Sequence, residues 1–131
     1  MKRSLLPAAA ALAMQAIQVH AACPPPADAG SSLTADAVQL AWRADPQVIV
    51  VGHPFALIVT VCPTTAQLTR VDATMPEHRH GMNYRPTIRA LGDGVWRAEG
   101  LLWHMSGRWE LRLDVQGQGG PQTLRQSVTL P

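Results

Sequence analysis

The sequence predicts an all-β domain, an immunoglobulin-like antiparallel β-sandwich of about seven strands. Three observations predict it. Beyond the first twenty or so residues no long segment spaces its apolar residues as a helix does, whereas several alternate with period two. Turn signals fall between those runs, at Gly52-His53-Pro54, Cys62-Pro63-Thr64, Gly92-Asp93-Gly94, Ser106-Gly107 and Gly117 to Pro121. The runs are short and evenly spaced, as two packed antiparallel sheets require.

Taken in order, the chain opens with Lys2 and Arg3, followed by an apolar, Ala-rich run from Leu5 to Ile17 and small residues at Val19-His20-Ala21. Residues 1–21 read as a secretory signal. The run is shorter than the about 20 apolar residues of a membrane-spanning helix, so no membrane span is expected after cleavage. Lipidation at Cys23 is the alternative, but His20 stands where a branched aliphatic residue would be expected. Residues 22–35, rich in Pro, Ala, Gly and Ser, form an extended or loose lead-in, and residues 36–131 form the sandwich. Within it Val38, Leu40 and Trp42 alternate with polar or small neighbours. Phe55, Leu57, Val59 and Val61 share a face, as do Val71, Ala73 and Met75. Trp109, Leu111, Leu113 and Val115 alternate with Arg108, Glu110, Arg112 and Asp114, the cleanest half-buried strand. Weaker strands are expected over 86–91, 95–103 and 122–130, the first two joined by a hairpin at Gly92-Asp93-Gly94.

Removal of 21 residues from 131 leaves 110, enough for one core. The leader takes two of the eleven basic residues, leaving nine arginines against nine acids. The arginines are scattered among the acids, so nucleic acid is not an expected partner. Arg85, Arg89 and Arg97 are expected to decorate an outer sheet face. Two cysteines, Cys23 and Cys62, form an even pair in an exported chain, and a disulfide is expected.

The chemistry-bearing residues are concentrated. Of five methionines, Met1 and Met14 fall in the leader; the other three, Met75, Met82 and Met105, each lie close in sequence to a histidine. The run is Met75-Pro76-Glu77-His78-Arg79-His80-Gly81-Met82, with His104-Met105 further on. Imidazole nitrogen and thioether sulfur suit copper, Cu(I) above all, and need little or no deprotonation. Alternating strand directions put the 75–82 loop, the turn at 104–107 and His53 at one end of the sandwich, and Cys62 at the other, where Cys23 can reach it. In an extended segment His78 and His80 project from the same side, and Gly81 is expected to allow a tight bend that returns Met82 toward them. The expected metal ligands are His78, His80 and Met82, completed by His104 or Met105, with Met75 and His53 as second choices. The plainer alternatives are that Met75 is core, that His53 is a surface turn residue, and that Met105 packs on Trp103 or Trp109. Glu77 and Arg79 are expected to be solvated, and the four tryptophans to be core or walls of the site.

The stretch Met75 to Met82, followed by Trp96-Arg-Ala-Glu-Gly-Leu-Leu-Trp-His-Met-Ser-Gly-Arg-Trp-Glu-Leu-Arg-Leu-Asp-Val115, resembles the YtkA-like and FixH-like exported domains. The resemblance covers roughly residues 45–116; its specific parts are His-x-His-Gly-Met and Met-x-Gly-x-Trp. Ser106 replaces the proline usual after the methionine. The resemblance implies an immunoglobulin-like sandwich and a copper-handling role outside the cytoplasm, of the kind seen in CopC-like sandwiches.

The functional expectation is a periplasmic or secreted copper-binding protein, a chaperone or scavenger of Cu(I) or Cu(II). The alternative is a metal-free periplasmic interaction module, accessory to a membrane or haem-containing redox complex, with another periplasmic or membrane-anchored protein as its partner. No Ser/His/Asp arrangement or acidic pair in good context points to an enzyme.

Overall fold

A computed structural model describes residues 23–131; the expected leader and its cleavage site lie outside them. Nine strands form two antiparallel sheets: β1 (Ser31–Ala35), β2 (Val38–Asp45), β3 (Pro54–Cys62), β4 (Gln67–Met75), β5 (His80–Gly81), β6 (Thr87–Gly92), β7 (Val95–Leu102), β8 (Gly107–Gly117) and β9 (Gly120–Leu130). Their order is β1-β2-β3-β7-β6 in one sheet and β5-β4-β8-β9 in the other. Within this, β2-β3-β7-β6 and β4-β8-β9 reproduce the ABED and CFG sheets of the immunoglobulin sandwich. The seven expected strands are these seven. The two additions are edge strands, β1 within the lead-in and the two-residue β5.

Strands β2, β3, β4 and β8 bury the face their alternation announces. Leu40, Leu57, Val59 and Val61 from the first sheet meet Val71, Ala73, Leu111, Leu113 and Val115 from the second. A fully buried aliphatic side chain of this size contributes about 1.5–3 kcal/mol. The polar interruption in β9, Gln126, has a cause: its Oε1 accepts a 2.9 Å hydrogen bond from the indole Nε1 of Trp42, across the two sheets. A buried indole N–H needs such an acceptor.

The outer faces carry ion pairs. On the second sheet Glu110 takes Arg125 and Asp114 takes Arg112. On the first, Arg97 bridges Asp45 and Glu99, and Arg89 approaches Glu99. Arg89 and Arg97 thus decorate an outer face as expected, whereas Arg85 lies in the loop between β5 and β6. Cys23 and Cys62 are bonded, with Cα atoms 5.7 Å apart, and pin the lead-in to the end of β3. Among the described residues no helix is long and apolar enough to cross a membrane.

Candidate metal centre

The turns that matter share one end of the sandwich. Thr74 pairs with Glu110, so β4 ends where β8 begins. Pro54 pairs with Leu102, so β3 begins where β7 ends. Gly52 N–H donates to the Trp103 carbonyl at 2.9 Å, tying the loop before β3 to the turn after β7. The disulfide lies at the other end.

After β4 the chain makes a single 3-10 turn, Pro76–His78, with proline in the first turn, where its missing N–H costs nothing. Arg79 follows in the left-handed region at φ 55°, and its N–H bonds the Pro76 carbonyl at 3.3 Å. The chain then doubles back: His80 pairs with Met75 and Gly81 with Thr74. The segment around His78 is therefore a turn and not the extended piece that the sequence suggested, and the bend lies at Arg79, not at Gly81. Gly81 serves a different need, since a Cβ there would lie 3.1 Å from the Ala73 carbonyl oxygen. Residues paired across an antiparallel ladder project on the same face, so His80 stands on the inward face beside Met75.

This turn brings three imidazoles into a row. The rings of His78 and His80 have centroids 5.7 Å apart, and those of His80 and His104 are 5.1 Å apart. Beneath them lies Trp109, 6.1 Å from His80 and 5.5 Å from His104, with both imidazoles steeply inclined to the indole plane. Trp109 stacks on Trp103 at 5.3 Å with an interplanar angle of 7°, and Trp103 meets Phe55 edge-on. Both indoles are fully buried. The Trp109 Nε1 donates to the Met105 carbonyl at 3.0 Å and so fixes the turn that carries His104. Two polar atoms of this region, His80 Nδ1 and Trp103 Nε1, are buried with no hydrogen-bond partner. An unpaired buried polar atom is costly.

The thioethers are distributed unevenly. Met105 is exposed beside His104. Met75 is wholly buried in the core, and its Cε lies so near Gly107 that a Cβ there would be 3.1 Å away. Met82 is half-buried against the core. Its N–H donates to the Ala73 carbonyl, and it lines a groove on the side of the sandwich. His53 is at the same end but exposed, its Nδ1 3.2 Å from the Val51 carbonyl. Among the described residues no other ring packs on it.

Glu77, expected to be solvated, is exposed but paired: Arg108 Nε donates to its Oε1 at 2.7 Å, while Arg108 Nη1 reaches Ser127 Oγ. That hydrogen bond holds the Glu77 carboxyl below its ordinary value. The partners are 31 residues apart, a pairing no local pattern in the sequence announces.

Among the described residues no three His, Cys, Asp or Glu side chains are already poised to hold one metal ion. His78 and His104 are exposed side chains able to change rotamer, whereas His80 is half-buried and its backbone is fixed by pairing with Met75. The chain matches no protein-family model, no curated protein and no solved structure. Fold and site together define an immunoglobulin-like sandwich with an imidazole row over a stacked indole pair at one end.

Proposed function

We propose that the protein binds a soft transition-metal ion, copper foremost, at the imidazole end, in an oxidising compartment outside the cytoplasm. His80 is the central ligand, His78 and His104 close on the ion from either side, and the Met105 thioether is the accessible sulfur. The supporting observation is the imidazole row. Two imidazoles that share one ion through nitrogens about 2 Å from it have ring centroids about 5–6 Å apart, and both neighbours of His80 fall in that range. The buried Nδ1 of His80, without a partner, is the atom whose ligation would relieve a cost. Met75 and Met82 are too committed to the core to lead, and serve at most as an inner sulfur near His80. The disulfide accords with an oxidising compartment and takes both thiols out of competition for the metal. The resemblance to the YtkA-like and FixH-like domains points the same way.

Titration of the protein with Cu(I) and Cu(II) against a competing chelator tests this. Trp109, 6.1 Å from His80, supplies a fluorescence reporter for Cu(II). The His78→Ala, His80→Ala double variant is expected to lose more affinity than the ~10–100-fold that removal of an outer-shell partner costs. Unchanged binding in that variant rules out the site.

One observation favours the docking alternative. Val48, 72% exposed, and Val50 lie in the loop whose Gly52 bonds the Trp103 carbonyl, and Met105 in the turn after β7 is exposed too. A partner that hands over or receives the ion would cover this rim. A copper-insensitive complex lost in Val48→Asp would support docking without metal.

A further inference from the structure

Strand β4 has an unfilled side. Toward β8 it is paired from Gln67 to Thr74. Toward β5 it is paired only at Thr74 and Met75, because β5 is two residues long. Beyond that, one further backbone bond reaches it, from Met82 N–H to the Ala73 carbonyl. The chain then turns away through Asn83 to Pro86 before β6 begins in the other sheet. What remains is a groove of about 540 Å³, walled by Thr69 to Asp72 of β4 on one side and by Met82, Tyr84, Arg85, Pro86 and Ile88 on the other.

Two details show what this groove is shaped to take. Antiparallel ladders alternate, so Val71 turns its N–H and C=O the same way as Ala73, into the groove. No described strand pairs with it there, and β6 of the other sheet approaches β4 only across the groove. The Ala73 N–H, next along that edge, donates at 2.8 Å to Oδ1 of Asp72. A side-chain oxygen thus stands where the carbonyl of a neighbouring strand would be. The charges are also unbalanced. Arg70 is answered by Asp72, but none of the described ion pairs includes Arg85, an exposed residue on the opposite wall beside exposed Tyr84.

We propose that this groove receives an extended segment of a partner polypeptide, which adds as a strand along β4 in line with β5, its backbone bonding Val71 and an acidic side chain meeting Arg85. Strand addition to a sheet edge draws affinity from main-chain hydrogen bonds and selectivity from alternate side chains. The arginines and Asp72 that border the edge also discourage a second copy of this chain from pairing there. Such a segment would abut Met82 and hence the strand that carries His80, but the proposal does not depend on metal binding.

Nitrogen-15 NMR titration of the whole protein tests it with two probes, acetyl-Thr-Val-Glu-Val-Thr-Val-amide and the same peptide with lysine for glutamate. The expected result is saturable shifts at Thr69 to Ala73 and Met82 to Ile88. Exchange of the Val71 amide should slow about tenfold when nine-tenths of the sites are filled. The glutamate peptide should bind about tenfold tighter than the lysine peptide, and Arg85→Glu, on an exposed loop, should invert that order. Methylation of alternate peptide nitrogens should abolish binding. Three results overturn the proposal: no saturable shift with either peptide at millimolar concentration, shifts confined to another edge such as β6, or equal binding of the methylated peptide.

Discussion

Among the described residues the two ends of the sandwich hold most of the sulfur and imidazole chemistry, and they use it in opposite ways. At one end Cys23 and Cys62 close a covalent bond 39 residues apart in sequence. Their sulfurs neither titrate nor ligate, and the exposed chain around them gains order. At the other end three imidazoles stand in a row with no covalent tie, on a floor of stacked, fully buried indoles, and exposed Met105 follows His104 in the chain. Order there comes from weak bonds that only surround the reactive groups: the indole bond to the Met105 carbonyl and the clasp of Arg108 on Glu77. One end spends soft atoms on stability; the other keeps them free on a rigid base. Sites this far apart with no shared partners should respond independently to mutation, and that independence is open to test.

The largest effect is expected at the disulfide end. Replacement of Cys23 and Cys62 by serine removes a constraint on a loop of that length, worth about 3–4 kcal/mol in the chain-entropy account. Urea denaturation should show the loss, while copper affinity at the imidazole end should stay within about twofold of the parent, the difference expected of uncoupled sites. A fall in affinity as large as that of the imidazole variants would show that the two ends form one cooperative unit.

A smaller effect is expected from Gly107→Ala. Gly107 has φ 113°, a conformation that a residue with a Cβ adopts at a cost of about 1–3 kcal/mol. The new methyl would also meet the Cε of Met75, although the flexible end of that side chain can yield. The strained turn carries His104 and Met105, so this change should lower stability and copper affinity together. That distinguishes it from the disulfide variant, which should lower stability alone. If Gly107→Ala destabilises the fold but leaves affinity untouched, His104 and Met105 are not ligands.

Much of this arrangement is legible in the residues. Strict alternation in Trp109 to Val115 and in Phe55 to Val61 locates two central strands, because a sheet with one wet face must alternate. Counting strand directions from those runs places the loop 76–82, the 104–107 turn and His53 at one end, where the structure has them. What alternation does not reveal are elements without a core face. Strand β1, Ser31-Ser32-Leu33-Thr34-Ala35, offers one large apolar residue and reads as linker; it is held by its ladder to β2. The 3-10 turn at Pro76–His78 is missed for a related reason: His78 and His80, two apart, would share a side in an extended segment, and only the left-handed Arg79 shows that a turn joins them. Met75 reads equally as ligand or core, and its depth is settled by Gly107 packing over it, 32 residues along the chain. The clasp between Glu77 and Arg108 is invisible for the same reason, since pairing across strands depends on register.

The smallest effect lies between the two ends, on the outer face of the second sheet. Burial alone would raise the Asp114 carboxyl, but its hydrogen bonds from Arg112 and Thr123 outweigh that and hold it below the ordinary value of 3.8. A carboxyl whose value is depressed on folding contributes stability above its unfolded value and loses it as pH falls through the folded one. Stability should therefore be level near neutrality and decline below about pH 4, where the unfolded chain takes up the proton first. Asp114→Asn should flatten that part of the decline. The pairs are solvated, so each contributes little, and the disulfide does not titrate. Amide exchange followed through the same acid range would locate the loss. Opening confined to β8 and β9 near Asp114, with the indole stack and the disulfide still protected, would keep both ends independent of the face between them. Opening that spread at once to the imidazole turn would show that the ladder of ion pairs couples them.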